Sequence, residues 1–293
     1  MAAATATQKD PAAIFSGADW IFQTVNSALE KNEGCLIGRH GTIELEVLLD
    51  KKNPDFFEPT LERNAGIFPR TLDSLGEWRD RYTAAVREAD GMAVGWYAPL
   101  AAAEAEFLNT VNPGAKRLPL RSLEPYYASP PWTRALKGQR VAVVSSFTLT
   151  MEEQLLFKDT IWKGRGEILP GADWKFIPSY YSPALAQGRC GWPKEITSWS
   201  DAVSHLEKEI LKTGARVALL GCGGLAMPLA LALKRRGLVA IVLGGAIQVL
   251  FGIKGRRWEK HEVISKFWND DWIYPKPEET PLASRNVEGG CYW

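Results

Sequence analysis

Short apolar runs alternate with longer amphipathic stretches along most of this 293-residue chain. The runs Gly34 to Gly38, Gly91 to Gly95, Arg140 to Ser145, Lys175 to Pro178, Arg216 to Gly221 and Leu238 to Leu243 have the length and residue types of buried strands. Helical periodicity marks Ala13 to Lys31, Ile43 to Asp50, Leu72 to Glu88, Ala101 to Leu108, Leu149 to Trp162 and Trp199 to Lys212. A further helix is predicted from about Met227 to Arg236. Pro228 sits in its first turn, Lys234, Arg235 and Arg236 oppose its dipole, and Gly237 caps it. Strands separated by helices predict an α/β fold, a largely parallel sheet with helices on both faces. Ligands of such sheets bind in the crevice at the carboxyl ends of the strands.

The uncharged runs 217–233 and 237–253 have the length of a short membrane hairpin. Gly221, Gly223, Gly224, Pro228, Gly244 and Gly245 break them into strand, turn and helix instead. With 46% hydrophobic and 24% charged residues the chain is a folded protein. Lys plus Arg number 35 against 34 Asp plus Glu, so there is no global positive field for nucleic acid, and any anion site must be local. Cys35, Cys190, Cys222 and Cys291 form no CxxC pair, which disfavours structural zinc and a disulfide framework and favours a reducing, cytoplasmic setting. Residues 1–12 lack a basic n-region and an apolar core, so they read as a disordered tail rather than a signal peptide. Residues 13–293 are then expected to form a single large domain, with a subdivision near residue 135 as the alternative.

Candidate chemistry clusters at predicted strand ends. Gly221, Cys222, Gly223, Gly224, Leu225 and Ala226 spell GxGxxA between a strand and a helix, where backbone amides can face an anion. The acid that would hold a ribose about 20 residues on is missing, which weighs against NAD and S-adenosylmethionine. Gly244, Gly245 and Gln248 give a second close backbone approach, followed by the cations Lys254, Arg256 and Arg257, which can clamp a diphosphate. Near the N-terminus, Arg39 and His40 precede Glu44, which falls in a first helical turn, and the three are the candidates for the reacting end of the site. Glu44 can bind a divalent cation or take a proton from a hydroxyl; the same position suits an ordinary acid stabilised by the helix dipole. His40 can serve as acid or base or be a structural histidine. Ser145, at a strand end, offers a polar contact; no GxSxG or Ser, His, Asp pattern marks a nucleophile.

These residues resemble a bacterial and viral group of GT-D-type glycosyltransferases. The likeness runs from Ile37 to Trp293 and rests on IGRHGTIEL at 37–45, NAGIFP at 64–69, LEPYYASPPWTRALKG at 123–138, ALLGCGGLAMPLA at 218–230, GGAIQVLFGIKGRRW at 244–258 and VEGGCYW at 287–293. It implies a Rossmann-like fold and transfer of a sugar from a nucleotide diphosphate donor, UDP being one base option, to a glycan acceptor. Relatives carry Asp-x-Glu after the first strand, engaging the donor and a metal such as Mn or Mg. Here Thr42, Ile43 and Glu44 occupy those positions, so the glutamate alone carries over. The cations Lys254, Arg256 and Arg257 can neutralise the departing diphosphate instead. Two other readings stand beside it: a methyltransferase-like enzyme using another nucleotide cofactor, and a non-catalytic nucleotide-sugar or glycan-binding protein.

Overall fold

The computed structural model describes residues 8–49, 59–165 and 167–293. Among them the strands are β1 (Cys35–Arg39), β2 (Gly91–Ala93), β3 (Lys116–Leu118), β4 (Arg140–Ser145), β5 (Asp173–Pro178), β6 (Val217–Leu220) and β7 (Val239–Val242). They form one sheet in the order β3-β2-β1-β7-β6-β4-β5, and every pairing is parallel. The architecture is α/β, as the alternating pattern predicts.

Both faces of the sheet are covered, which is why the central strands read as unbroken apolar runs. Val141, Val143, Val217, Leu219, Val239 and Ile241 point to the face packed by the Pro11–Lys31 helix and the C-terminal segment. Their neighbours Ala142, Val144, Ala218, Leu220, Ala240 and Val242 point to the face covered by the helices Leu72–Arg87, Trp199–Thr213 and Ala226–Arg235. This is the period-two pleat of a strand, with both sides dry.

Local chemistry sets the boundaries. Ser198 and Asp201 close a capping box at the start of Trp199–Thr213, and Gly214, in the left-handed region, ends it. Ala226–Arg235 ends as predicted, with Leu238 N–H bonded to Leu233 O across Gly237. Its basic last turn is also paired across the fold: Lys234 with Asp90, Arg235 with Glu88 and Arg236 with Glu207.

Several expectations need correction. The stretch Leu149 to Trp162 is not one helix but two, Thr148–Leu155 and Lys158–Ile161, because the amides of Leu156 and Phe157 take i−3 carbonyls and tighten the turn between them. Helix Thr42–Leu48 is shorter than read, and Asp50 lies outside the described residues. Strand β3 and the helix Pro59–Ala65 carry too few residues to show a period. Of the expected N-terminal tail, residues 1–7 lie outside the described residues, but the chain is anchored from Gln8. Its side chain donates to Val94 O at 2.7 Å and accepts from Leu120 N at 2.8 Å, and the helix begins at Pro11, capped by Asp10.

Candidate functional site

The chain leaves β4 for the sheet edge at β5, but leaves β6 toward the centre at β7. Connections diverging from neighbouring strands open a crevice at their carboxyl ends. A cleft of about 480 Å³ lies there, and it collects the ends of β1 (Arg39, Gly41, Glu44), β4 (Ser145, Ser146), β6 (Gly221, Gly223) and β7 (Gly244, Gly245).

Gly244 and Gly245 form the turn after β7. Gly244 is left-handed at φ +57, and a Cβ there would lie 3.5 Å from Arg39 Nη1. A Cβ on Gly245 would lie 3.5 Å from Arg257 Nη1. Two guanidinium groups thus flank one side-chain-free turn. Arg257 is paired with Glu288 at 3.2 Å and stands over the Tyr292 ring at 4.4 Å. Arg39 has no ion pair among the described residues; its guanidinium lies 4.5 Å from the Trp96 ring centre and its Nε donates to His40 O. An open guanidinium stacked on an indole is pre-organised for an anion.

Glu44 lies in the first turn of Thr42–Leu48 and folds back over Gly41, whose missing Cβ makes the room. It is buried, and burial raises its pKa against the opposing pull of its own backbone amide and of Arg39. A carboxylate of raised basicity that still lines the cleft suits proton transfer. His40 does not reach the cleft. It is fully buried, with Nδ1 3.3 Å from Tyr82 Oη and Nε2 4.0 Å from Glu104 Oε1. Burial, helped by Arg39, pushes it down to about 3, so it is neutral and sits behind the site as a structural residue.

In the glycine turn after β6, Gly221 and Gly223 line the cleft, but the space left by the missing side chains is taken by neighbouring segments. A Cβ on Gly223 would be 3.0 Å from Ala65 O, and one on Gly224 would be 2.9 Å from Ile67 Cδ1. Gly224 O also accepts from Trp78 Nε1 at 2.9 Å, and Gly224 does not line the cleft. Gly221 makes room for Ile247, 2.5 Å from where its Cβ would be. These glycines let neighbouring segments close on one another. Gln248 lines the cleft, but its Nε2 is taken by Lys254 O and Tyr292 O, both at 2.8 Å, so the amide fastens the C-terminal segment. Ser145 lines the cleft too, and its Oγ accepts from Phe147 N.

Only part of the predicted basic clamp arrives. Arg257 lines the cleft; Lys254 Nζ instead stands 5.6 Å from the Trp268 ring centre, and Arg256 is exposed outside it. Sequence reasoning missed Arg63, Asn64, Trp96 and Arg121 as lining residues, and gave no site role to His261. The Asn64 Oδ1 and Trp96 Nε1 atoms are buried and have no hydrogen-bond partner among the described residues.

A divalent cation fits poorly. Of the carboxylates lining the cleft, Glu124 is held by Arg121 at 2.6 Å and Glu288 by Arg257, which leaves Glu44 beside the cationic Arg39. Among the described residues no group of three His, Cys, Asp or Glu side chains could hold an ion.

No family profile and no curated protein matches the chain. Two solved structures align with it. One, described as the highly conserved domain of unknown function 1792 with a distinct glycosyltransferase fold, is 12% identical at a TM-score of 0.45, over 91% of this chain and 96% of its own. The other, a selenomethionine-substituted structure of domain of unknown function 1792, is 13% identical at a TM-score of 0.43, over 80% and 82%. Likeness of this size assigns neither a family nor an activity. No described helix is long and apolar enough to cross a membrane.

Proposed function

We propose that the protein is a glycosyltransferase that uses a nucleotide diphosphate sugar as donor and a glycan hydroxyl as acceptor. The observation that carries this reading is the pair of guanidinium groups, Arg39 and Arg257, on either side of Gly244 and Gly245, with the Glu44 carboxylate in the same cleft. The diphosphate lies over the glycine turn between the two arginines. Glu44 accepts the proton of the acceptor hydroxyl as its oxygen bonds to the anomeric carbon. The bond from that carbon to the diphosphate oxygen breaks, and the electron pair leaves on a diphosphate that Arg39 and Arg257 neutralise. This is a single displacement with inversion. With the other cleft carboxylates, Glu124 and Glu288, already engaged by arginines, positive charge from the protein performs the task that the resemblance would give to a metal, and no step runs through an ion.

The test begins with thermal stability in UDP, GDP, dTDP, CMP, NAD and S-adenosylmethionine, each with manganese, magnesium or chelator. A ligand specific to the folded state adds about 2.7 kcal/mol at a hundredfold excess over Kd. Stabilisation by one nucleoside diphosphate that persists in chelator is the expected result, followed by slow hydrolysis of the matching sugar donor. Glu44→Gln should keep donor binding while losing transfer by 10²-fold to 10⁴-fold. Full activity in that variant removes the base role, and a response to S-adenosylmethionine or NAD alone replaces the transferase reading.

A further inference from the structure

One wall of the cleft carries a contact that the diphosphate at Arg39 and Arg257 does not explain. Arg121 and His261 both line it, and Arg121 Nη2 lies 3.3 Å from His261 Nε2. On the other side of the ring, His261 Nδ1 receives the backbone amides of Val263 and Ile264, each at 3.2 Å. Three N–H donors therefore converge on one imidazole. A neutral imidazole has one lone pair to offer, so one side must be a contact between two donors. Two backbone amides hold the lone pair at Nδ1, which places the proton on Nε2, facing the guanidinium N–H of Arg121. Protonating the ring does not relieve this, because a cation would then have donors on both nitrogens.

An oxygen acceptor placed between the two groups satisfies both. We propose that Arg121 Nη2 and His261 Nε2 form an oxyanion subsite in the cleft wall, which takes a phosphate or carboxylate group of the substrate.

The surrounding groups hold the pair in place. Glu124 occupies the Nη1 edge of Arg121 at 2.6 Å, which orients the guanidinium and leaves Nη2 for the ligand. The Tyr127 ring lies 4.3 Å beneath it. Burial and Arg121 lower the pKa of His261, opposed by Glu262, which favours the neutral ring with its single proton available to the ligand. The nearby charges are thus Arg121, Glu124 and Glu262, the last in an exposed pair with Lys9.

The subsite does not depend on the transferase reading. If that reading holds, the substrate carries an acidic group beyond the diphosphate, as a charged sugar or a phosphorylated acceptor would.

The test uses the full chain labelled with ¹⁵N and follows the His261 ring nitrogens by two-bond proton correlation, with His261→Asn to assign the signals. Inorganic phosphate, acetate and, as a neutral control, glucose are the probes. The free protein should show the Nε2–H tautomer. Phosphate, acetate or both should shift the His261 signals and raise its pKa, since an adjacent anion favours the charged ring. A response to phosphate alone identifies a phosphorylated ligand, and a response to acetate alone a carboxylate. Arg121→Gln should raise the anion concentration for half the shift roughly tenfold, the loss of one charge-assisted hydrogen bond. An Nδ1–H tautomer in the free wild-type protein overturns the proposal whatever the variants do. So do anions that move other signals and leave His261 still, and a glucose shift equal to theirs. Donor binding and hydrolysis are read separately, so loss of the transferase reading would leave these outcomes interpretable.

Discussion

Substituting Glu104 by glutamine should stabilise the protein at neutral pH and have little effect in acid. Glu104 is almost wholly buried. Its Oε2 accepts from Gly95 N at 2.7 Å, while its Oε1 faces His40 Nε2 across 4.0 Å, neither of these last two atoms having a hydrogen-bond partner among the described residues. Burial raises its pKa from 4.5 to about 7, against the Gly95 amide, Arg39 and Arg117, which pull it down. Below pH 4.5 the carboxyl is neutral in both folded and unfolded chains, and the favourable contribution of its raised pKa is fully present. As pH rises toward 7 the unfolded chain releases this proton and the folded chain does not. Stability then falls by about 1.4 kcal/mol per pH unit. The loss is complete above pH 7 and amounts to on the order of 3 kcal/mol. Glutamine keeps an acceptor for Gly95, can donate to His40 Nε2 and never ionises. Urea unfolding of both proteins from pH 4.5 to 8.5 should therefore give a difference near zero at the acid end that grows through pH 7. His40, held near 3 by burial, contributes with opposite sign. Its share is present above pH 6.5 and lost as pH falls toward 3, and it cancels between the two proteins. A difference that does not vary with pH would refute the reasoning.

Other substitutions probe packing and capping. A Cβ on Gly34 would fall within the backbone carbonyl of Lys234, so Gly34→Ala should cost about 3 kcal/mol or more in urea unfolding, or prevent folding. Trp78→Phe leaves the buried Gly224 carbonyl without its 2.9 Å indole partner and should lower stability by about 1 to 3 kcal/mol. Ser198→Ala removes the acceptor for Asp201 N and should lose about 1 kcal/mol, visible as a lower urea midpoint at unchanged slope.

Much of the sheet was legible because a strand buried on both faces leaves an apolar run, and Val217–Leu220 and Val239–Val242 do so plainly. Strand β3 reads Lys, Arg, Leu at the sheet edge, where three residues carry no period. In the site, Arg39, Glu44, Gly244 and Gly245 were found because each follows a recognisable strand. Trp96 directly follows the run Gly91 to Gly95 and was open to the same reading, whereas Arg63, Arg121 and His261 come from segments whose convergence depends on strand order, and no local pattern announces that. The error over Lys254 and Arg256 has the same origin. Spacing brings three cations together in sequence, but the turn sends Arg257 to the cleft, Lys254 to Trp268 and Arg256 to solvent. The GxGxxA turn is ambiguous for another reason: glycine is required equally where a ligand approaches and where another segment does, and Gly221 and Gly223 line the cleft while packing against neighbours. At Gly223 and Gly224 the visitor is the end of the Pro59–Ala65 helix.

The strand order also sets a timetable for synthesis. Cys35 of β1 pairs with Val239 of β7, so a central strand lacks one neighbour until some 200 further residues have been made. At roughly 5 to 20 residues per second, that edge stays open for on the order of 10 to 40 s while β1, β2 and β3 wait on the ribosome. An apolar parallel edge exposed for that long invites pairing with other nascent chains. The late segment that closes the sheet also carries the glycine turn and Arg257, so a chain interrupted before β7 lacks both its central ladder and one of the two arginines beside that turn. Production of this protein should therefore respond to translation rate and chaperone supply more than its finished, well-buried sheet would suggest.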